Sequence, residues 1–199
     1  MKKILALVLA LCMVFVLAAC GSDDGNDTVN DGSTPSDLMP VVSPTPTPVP
    51  EDITSLTIGG LHIIRDGQIT GLGYRGCTYE DGTLTIDSVA LTNDKADEPI
   101  ISFEGGDLEI IVVGDCSMTS TGGASIISGG DSNLTISGDG TLTMSATGAA
   151  AIDLSGSLSV ECALNATGEP ACSSENISAG DGYTVAANDG TTLTVSAAA

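Results

Sequence analysis

Between Leu134 and Leu154 the apolar side chains fall at every second position in short runs: Leu134 and Ile136, Leu142 and Met144, Ile152 and Leu154. Thr135, Thr143 and Asp153 sit between them. A period of two marks half-buried strands, whereas a helix would repeat every three to four residues. Gly138, Gly140 and Gly148 break the runs and supply tight corners.

The pattern also repeats at a coarser grain. Aligning 108–126, 134–152 and 158–172 puts Met118, Met144 and Leu164 in one column. Cys116, Leu142 and Cys162 then share a column two residues earlier, and Ile126, Ile152 and Cys172 share one eight residues later. Leu108 and Leu134 stand ten residues before the methionines, and the third copy starts at Leu158, shortened by deletion. The copies are 26 and 20 residues apart, a spacing that signals stacked repeats.

A short strand pair cannot hide its apolar side alone. Coiling the chain so that each copy lies on the last stacks the columns inside and predicts an all-β parallel β-helix. Each rung buries about five aliphatic side chains at roughly 1.5–3 kcal/mol apiece, largely offset by chain entropy, so the rungs must cooperate. The segment 81–93 extends the stack at one end, with Leu84, Ile86, Val89 and Leu91 as interior candidates, and 190–196 closes it at the other. That makes about five rungs. The less regular 53–80 reads as an N-terminal cap, with Leu56, Ile58, Ile63 and Phe103 interior, and 92–99 as an insertion off the stack. The rival architecture is an antiparallel sandwich, which also alternates. The in-register columns favour the coil, since a sandwich has no reason to keep them.

The front of the chain has a different character. Lys2 and Lys3 precede an apolar run of 16 residues, Ile4 to Ala19. That is short of the roughly 20 a membrane span needs and suits a signal peptide over 1–19. Leu17-Ala18-Ala19-Cys20, followed by Gly21-Ser22, resembles the lipobox of bacterial lipoproteins. The resemblance implies cleavage between Ala19 and Cys20 and diacylation of the Cys20 thiol. An ordinary secretory signal with a chance cysteine is the alternative. Residues 20–52 are Gly, Ser, Asp, Thr and Pro with almost no core-forming side chains, and six of the eight prolines lie between Pro35 and Pro50. This composition predicts a solvated, extended stalk of at most roughly 100 Å. The remaining 53–199 is one domain's worth of chain.

Charge narrows the partners. Losing Lys2 and Lys3 with the signal takes the net charge from −21 to −23 and leaves only Arg65, Arg75 and Lys95 as cations. Such a surface repels nucleic acid and anionic lipid headgroups. It suits cations, and an acidic polymer only through bridging ones.

Candidate chemistry is sparse. Solenoids of this class include polysaccharide lyases and hydrolases, but the three basic residues all fall outside the regular rungs. His62 lies in the cap and reads as structural. No GxSxG, HExxH or phosphate loop is present. Asp107, Asp115, Asp131, Asp139 and Asp153 supply carboxylates, which at turns more often form the turn than do chemistry. Asp107, Asp131 and Asn133 are candidate Ca²⁺ ligands, because "GGD" at 105–107 and "GGDSN" at 129–133 fall at equivalent places in adjacent rungs. The alternative there is a turn ladder that satisfies its own backbone. With Cys12 in the signal and Cys20 lipidated, Cys77, Cys116, Cys162 and Cys172 remain. Export permits disulfides, but Cys116 and Cys162 would lie two rungs apart, about 9–10 Å, beyond the reach of a bridge. They read as buried free thiols. There is no Trp, and Tyr74, Tyr79 and Tyr183 are the candidate exposed rings.

The segments "GDLEI", "SNLTISGDGTLTMSATG", "GSLSVECALNATG" and "GTTLTVSA" resemble a family of exported clostridial proteins with carbohydrate-binding domains, related in fold to polysaccharide lyases. The resemblance covers most of 53–199. It implies a right-handed parallel β-helix, binding to plant cell-wall polysaccharide, and Ca²⁺ in some members. The expectation is therefore a lipid-anchored, stalked protein on the outer face of a bacterial membrane that binds extracellular polysaccharide without catalysis. The alternatives are a structural or adhesive envelope protein that binds another protein or the cell wall, and, behind it, a lyase or hydrolase.

Overall fold

A computed structural model describes residues 53–71, 73–80 and 82–199. The signal peptide, Cys20 and the stalk lie outside the described residues. Those described are all strand, turn and loop, with no helix among them.

Five strands in two antiparallel units precede the regular coil. β1 (Ser55–Ile58), β2 (Leu61–Arg65) and β3 (Gln68–Ile69) form an antiparallel meander, and β4 (Gly73–Tyr74) and β5 (Cys77–Glu80) form a second hairpin. The first coil is then β6 (Thr83–Asp87), β7 (Ala90–Asn93) and β8 (Ile101–Glu104). The second is β9 (Leu108–Val113), β10 (Asp115–Ser120) and β11 (Ile127–Gly130). In the third, β12 (Leu134–Ala146) runs through a corner as one strand with two arms, and β13 (Ile152–Leu154) follows. β14 (Leu158–Thr167) begins a further coil, followed by β15 (Ile177–Ala179). The hairpin β16 (Tyr183–Asn188) and β17 (Thr192–Ala197) closes the end by pairing antiparallel with β14.

Between coils every ladder is parallel. One face stacks β6, β9, β12, β14 and β15; a second stacks β7, β10 and the far arms of β12 and β14; a third stacks β8, β11 and β13. The result is a β-solenoid of about three turns. Antiparallel pairing is confined to the two ends, which removes the sandwich.

The interior is a set of columns. Leu84, Ile110, Ile136 and Val160 lie one above another, as do Leu108, Leu134 and Leu158, and all seven are buried. Leu56, Ile58, Ile63 and Phe103 are buried as expected, and so are Leu84, Ile86, Val89 and Leu91. The loop off the first coil begins later than expected, because Thr92 and Asn93 still belong to β7.

Three columns differ from the sequence alignment, that of Cys116, Leu142 and Cys162 among them. Met118 stacks on Met144, but Leu164 lies on Leu142, and Ala166 takes the place beside Met144. Leu158 sits directly on Leu134, so the deletion is not at the start of the copy. It lies at the corner, where Gly138, Asp139 and Gly140 of β12 face the single residue Cys162 of β14. Ile127 rather than Ile126 stacks on Ile152 and Cys172, because the connection from Ser120 to Ile127 is one residue longer than that from Ala146 to Ile152. Ile126 is buried as well.

Candidate functional site

The three faces differ in what they turn outward. On the first, Glu109 and Glu161 stand among the outward residues of β9 and β14; on the third, Glu104 and Asp153 do so. The second face carries two outward columns without charge. Ala90, Ser117, Thr143, Asn165 and Thr194 form one, and Thr92, Thr119, Ser145, Thr167 and Thr192 the other. Adjacent rows of a sheet lie about 4.8 Å apart, so five rows make a strip roughly 19 Å long. Asp115 lies beside this strip, in register with Thr141 and Ala163. Alternation built the strip: each outward hydroxyl is the partner of an inward Leu, Met or Ala one position away.

The expected Ca²⁺ candidates are partly brought together, as members of a ladder. Asn133 donates its backbone N–H to Asp107 Oδ1 at 2.8 Å, and its side-chain amide reaches Oδ1 and Oδ2 at 3.1 and 3.0 Å. Asn133 Oδ1 in turn accepts from the Ser157 N–H at 2.9 Å and from its hydroxyl at 2.6 Å. Both Asp107 oxygens therefore serve the corner of the next coil. Asp131 is exposed and takes no part in this ladder. A second ladder joins Asp153 Oδ1 to the Ser173 hydroxyl at 3.0 Å. No group of three or more His, Cys, Asp or Glu side chains converges on one point among the described residues. His62 is exposed on β2, with Nδ1 3.2 Å from Thr57 Oγ1.

All four domain cysteines are free thiols; Cys77, Cys116 and Cys162 are buried and Cys172 half-buried. The shared column of Cys116 and Cys162 does not form, because Cys116 stacks on Leu142 and that column continues to Leu164. Burial, and after it the nearby Cys116, pushes Cys77 and Cys162 each up to about 11 from an ordinary 9.0. A thiol whose pKa is higher in the folded than in the unfolded chain favours folding below the unfolded value, and that advantage is lost as pH rises through the folded value. Stability should therefore hold up to about pH 9 and fall between about 9 and 11. Urea midpoints measured across that range check this, and Cys77→Ala combined with Cys162→Ala should flatten the fall.

Of the three tyrosines, Tyr79 is buried, correcting its expected exposure: it alternates with Cys77 on the inward side of β5. Tyr183 is half-buried on the closing hairpin, and Tyr74 lines a cleft. That cleft, of about 220 Å³, was not legible in the sequence. The turn at Gly59 and Gly60, the turn at Tyr74 and Arg75, the edge of β7 and the loop 94–100 enclose it. It brings together Arg75 and Lys95, two of the domain's three cations. Lys95 is paired with Glu98, whose main-chain carbonyl also accepts from the Asn93 side chain. Arg75 stands 5.4 Å from the centre of the Tyr74 ring and forms no ion pair among the described residues.

The fold and its outward chemistry define a β-solenoid with an uncharged hydroxyl strip on one face. Comparison with family models, curated proteins and solved structures finds no match to the chain.

Proposed function

We propose that this chain is a lipoprotein held on the outer face of a bacterial cell membrane by Cys20, and that its solenoid binds extracellular polysaccharide without cleaving it. The observation that carries the reading is the uncharged strip of Ser, Thr and Asn on the second face of an otherwise strongly acidic domain. A polymer of hydroxyl groups meets there a regular set of donors and acceptors, with little charge to desolvate. The strip's outward side chains hold no group that exchanges protons near neutral pH, which favours binding over catalysis. The acidity of the chain argues against nucleic acid as a partner.

The coil is right-handed in this reading, because parallel crossover connections in one sheet take that hand in about 98% of cases. Counting β14 as a fourth coil and the closing hairpin as a fifth gives about five rungs. Ca²⁺ enters as a bridging ion for acidic polymers, which the surface charge would otherwise repel.

The test is retention of the full chain in detergent on insoluble glucans and on pectin, each with and without Ca²⁺. Retention on one of them that survives washing at high salt is expected. Passage through all of them unretained would sink the proposal.

A further inference from the structure

The cleft at the end of the strip has a chemistry that the strip does not. Among the described residues β7 pairs with β10 alone. The Val89 and Asn93 carbonyls accept from the N–H groups of Ser117 and Thr121, at 2.8 and 2.9 Å. Main-chain groups alternate along a strand, so the N–H and C=O of Ala90 and Thr92 point away from β10, towards the cleft. An unpaired strand edge is a template for another extended chain.

The charges along this edge are ordered. Arg75 stands at the Ala90 end, since its neighbour Gly76 abuts Val89 so closely that a Cβ there would come within 2.7 Å of the valine side chain. Asp94, Lys95 and Glu98 stand at the Asn93 end, two acids against one base. Arg75 also holds a backbone φ of 44°, a left-handed conformation that glycine or asparagine adopts more readily than arginine. Backbone strain of this kind tends to persist where a side chain has a task.

We propose that the cleft receives the C-terminal end of an extended peptide, laid antiparallel along the free edge of β7, with its terminal carboxylate on Arg75. The main-chain groups of Ala90 and Thr92 match those of a peptide strand. The free guanidinium offers the planar fork that pairs with a carboxylate. The direction follows from the charges: the carboxylate lies at the Ala90 end, and the peptide's preceding N–H groups face the acidic end. At about 220 Å³ the cleft lies below the roughly 300–1,000 Å³ typical of drug-sized ligands, so it takes the end of a chain and not a long stretch of it. In so acidic a protein, an unpaired arginine beside an open strand edge is a rare place where a carboxylate is not repelled.

The experiment titrates the ¹⁵N-labelled full chain, in detergent micelles, with an N-acetylated pentapeptide of alternating threonine and valine, once as the free acid and once as the C-terminal amide. The acid should shift the backbone amide signals of Ala90 and Thr92, and the amide should bind at least about ten-fold more weakly, as expected for loss of a charge-assisted pair. Arg75→Gly relieves the positive φ, so its melting midpoint should equal or exceed that of the parent while the preference for the acid disappears. Arg75→Asn, which also suits the turn, should lose the preference in the same way. The proposal is overturned if the acid leaves the Ala90 and Thr92 signals unmoved, if acid and amide bind equally to the parent chain, or if both variants keep the preference.

Discussion

Cys20→Ala is expected to abolish incorporation of labelled palmitate into the protein and to move it from the membrane pellet to the soluble fraction. The effect should be close to complete, although five other cysteines remain. On the lipoprotein reading, membrane affinity comes from methylene groups buried in lipid, at about 0.8 kcal/mol each. One acyl chain holds only reversibly, and two hold stably. On that reading, removing the thiol removes the attachment point; no helix among the described residues is long and apolar enough to cross a membrane. Cys12 lies in the apolar run read as the signal, Cys77, Cys116 and Cys162 are buried, and Cys172 is half-buried with its thiol pushed up by that burial, so none of the five is a ready substitute acceptor. Label that persisted in the alanine variant would contradict the lipoprotein reading outright.

Gly138→Ala should destabilise the solenoid strongly, because a methyl group there combines an unsuited φ with a clash against main chain. Gly138 has a φ of 116°, and a Cβ there would fall 2.2 Å from the Val112 carbonyl oxygen and 2.8 Å from the Val112 nitrogen. The obstruction is main chain of the coil below, which cannot rotate away. Strain at such a φ costs about 1–3 kcal/mol, and overpacking adds about as much again. A loss of about 3 kcal/mol is therefore expected from a fold whose whole stability is of order 5–15 kcal/mol, lowering the melting midpoint by roughly 10 °C. Gly190→Ala is the control. Its φ of 91° is equally unsuited to alanine, but open space surrounds it, so only the conformational part, about 1 kcal/mol, should be lost. Equal losses at the two sites would mean that close stacking at the Gly138 corner contributes little.

The same corner explains what sequence reading could and could not resolve. The interior columns through Leu84, Ile110, Ile136 and Val160 follow from alternation, because only one parity places their side chains inside. A slip of two residues keeps that parity. Leu164 is therefore interior whether it stacks on Met144, as the alignment has it, or on Leu142, as in the structure, and alternation has no means of telling the two apart. The glycines mark the second arrangement: β12 spends Gly138 and Gly140 on a corner that β14 crosses with Cys162 alone. Ile126 and Ile127 differ by one residue because they follow a connection outside the strands, where no period applies.

Tyr79 was within reach of the sequence. It shares a parity with Cys77, and Leu84 and Ile86 of the next strand face the same interior. The Asp107–Asn133–Ser157 ladder was half legible, since equivalent places in adjacent coils put the first two together, while their mutual hydrogen bonds depend on rotamers. The cleft left no trace at all. Its walls come from two hairpin turns, one strand edge and one loop, with no repeat or motif linking them, and Arg75 and Lys95 meet there only because the cap folds back on the first coil.

The most direct test of the hydroxyl face replaces Thr119, Thr143 and Thr194 together by valine and measures retention on whichever insoluble polysaccharide holds the parent chain. Valine keeps the shape and the strand preference and removes only the hydroxyl groups, so the melting midpoint should stay within a few degrees of the parent's. The account predicts that retention falls at least about ten-fold, in line with three lost hydrogen bonds of roughly 0.5–1.5 kcal/mol each. Undiminished retention by the folded triple variant would contradict it and place the polysaccharide elsewhere on the molecule.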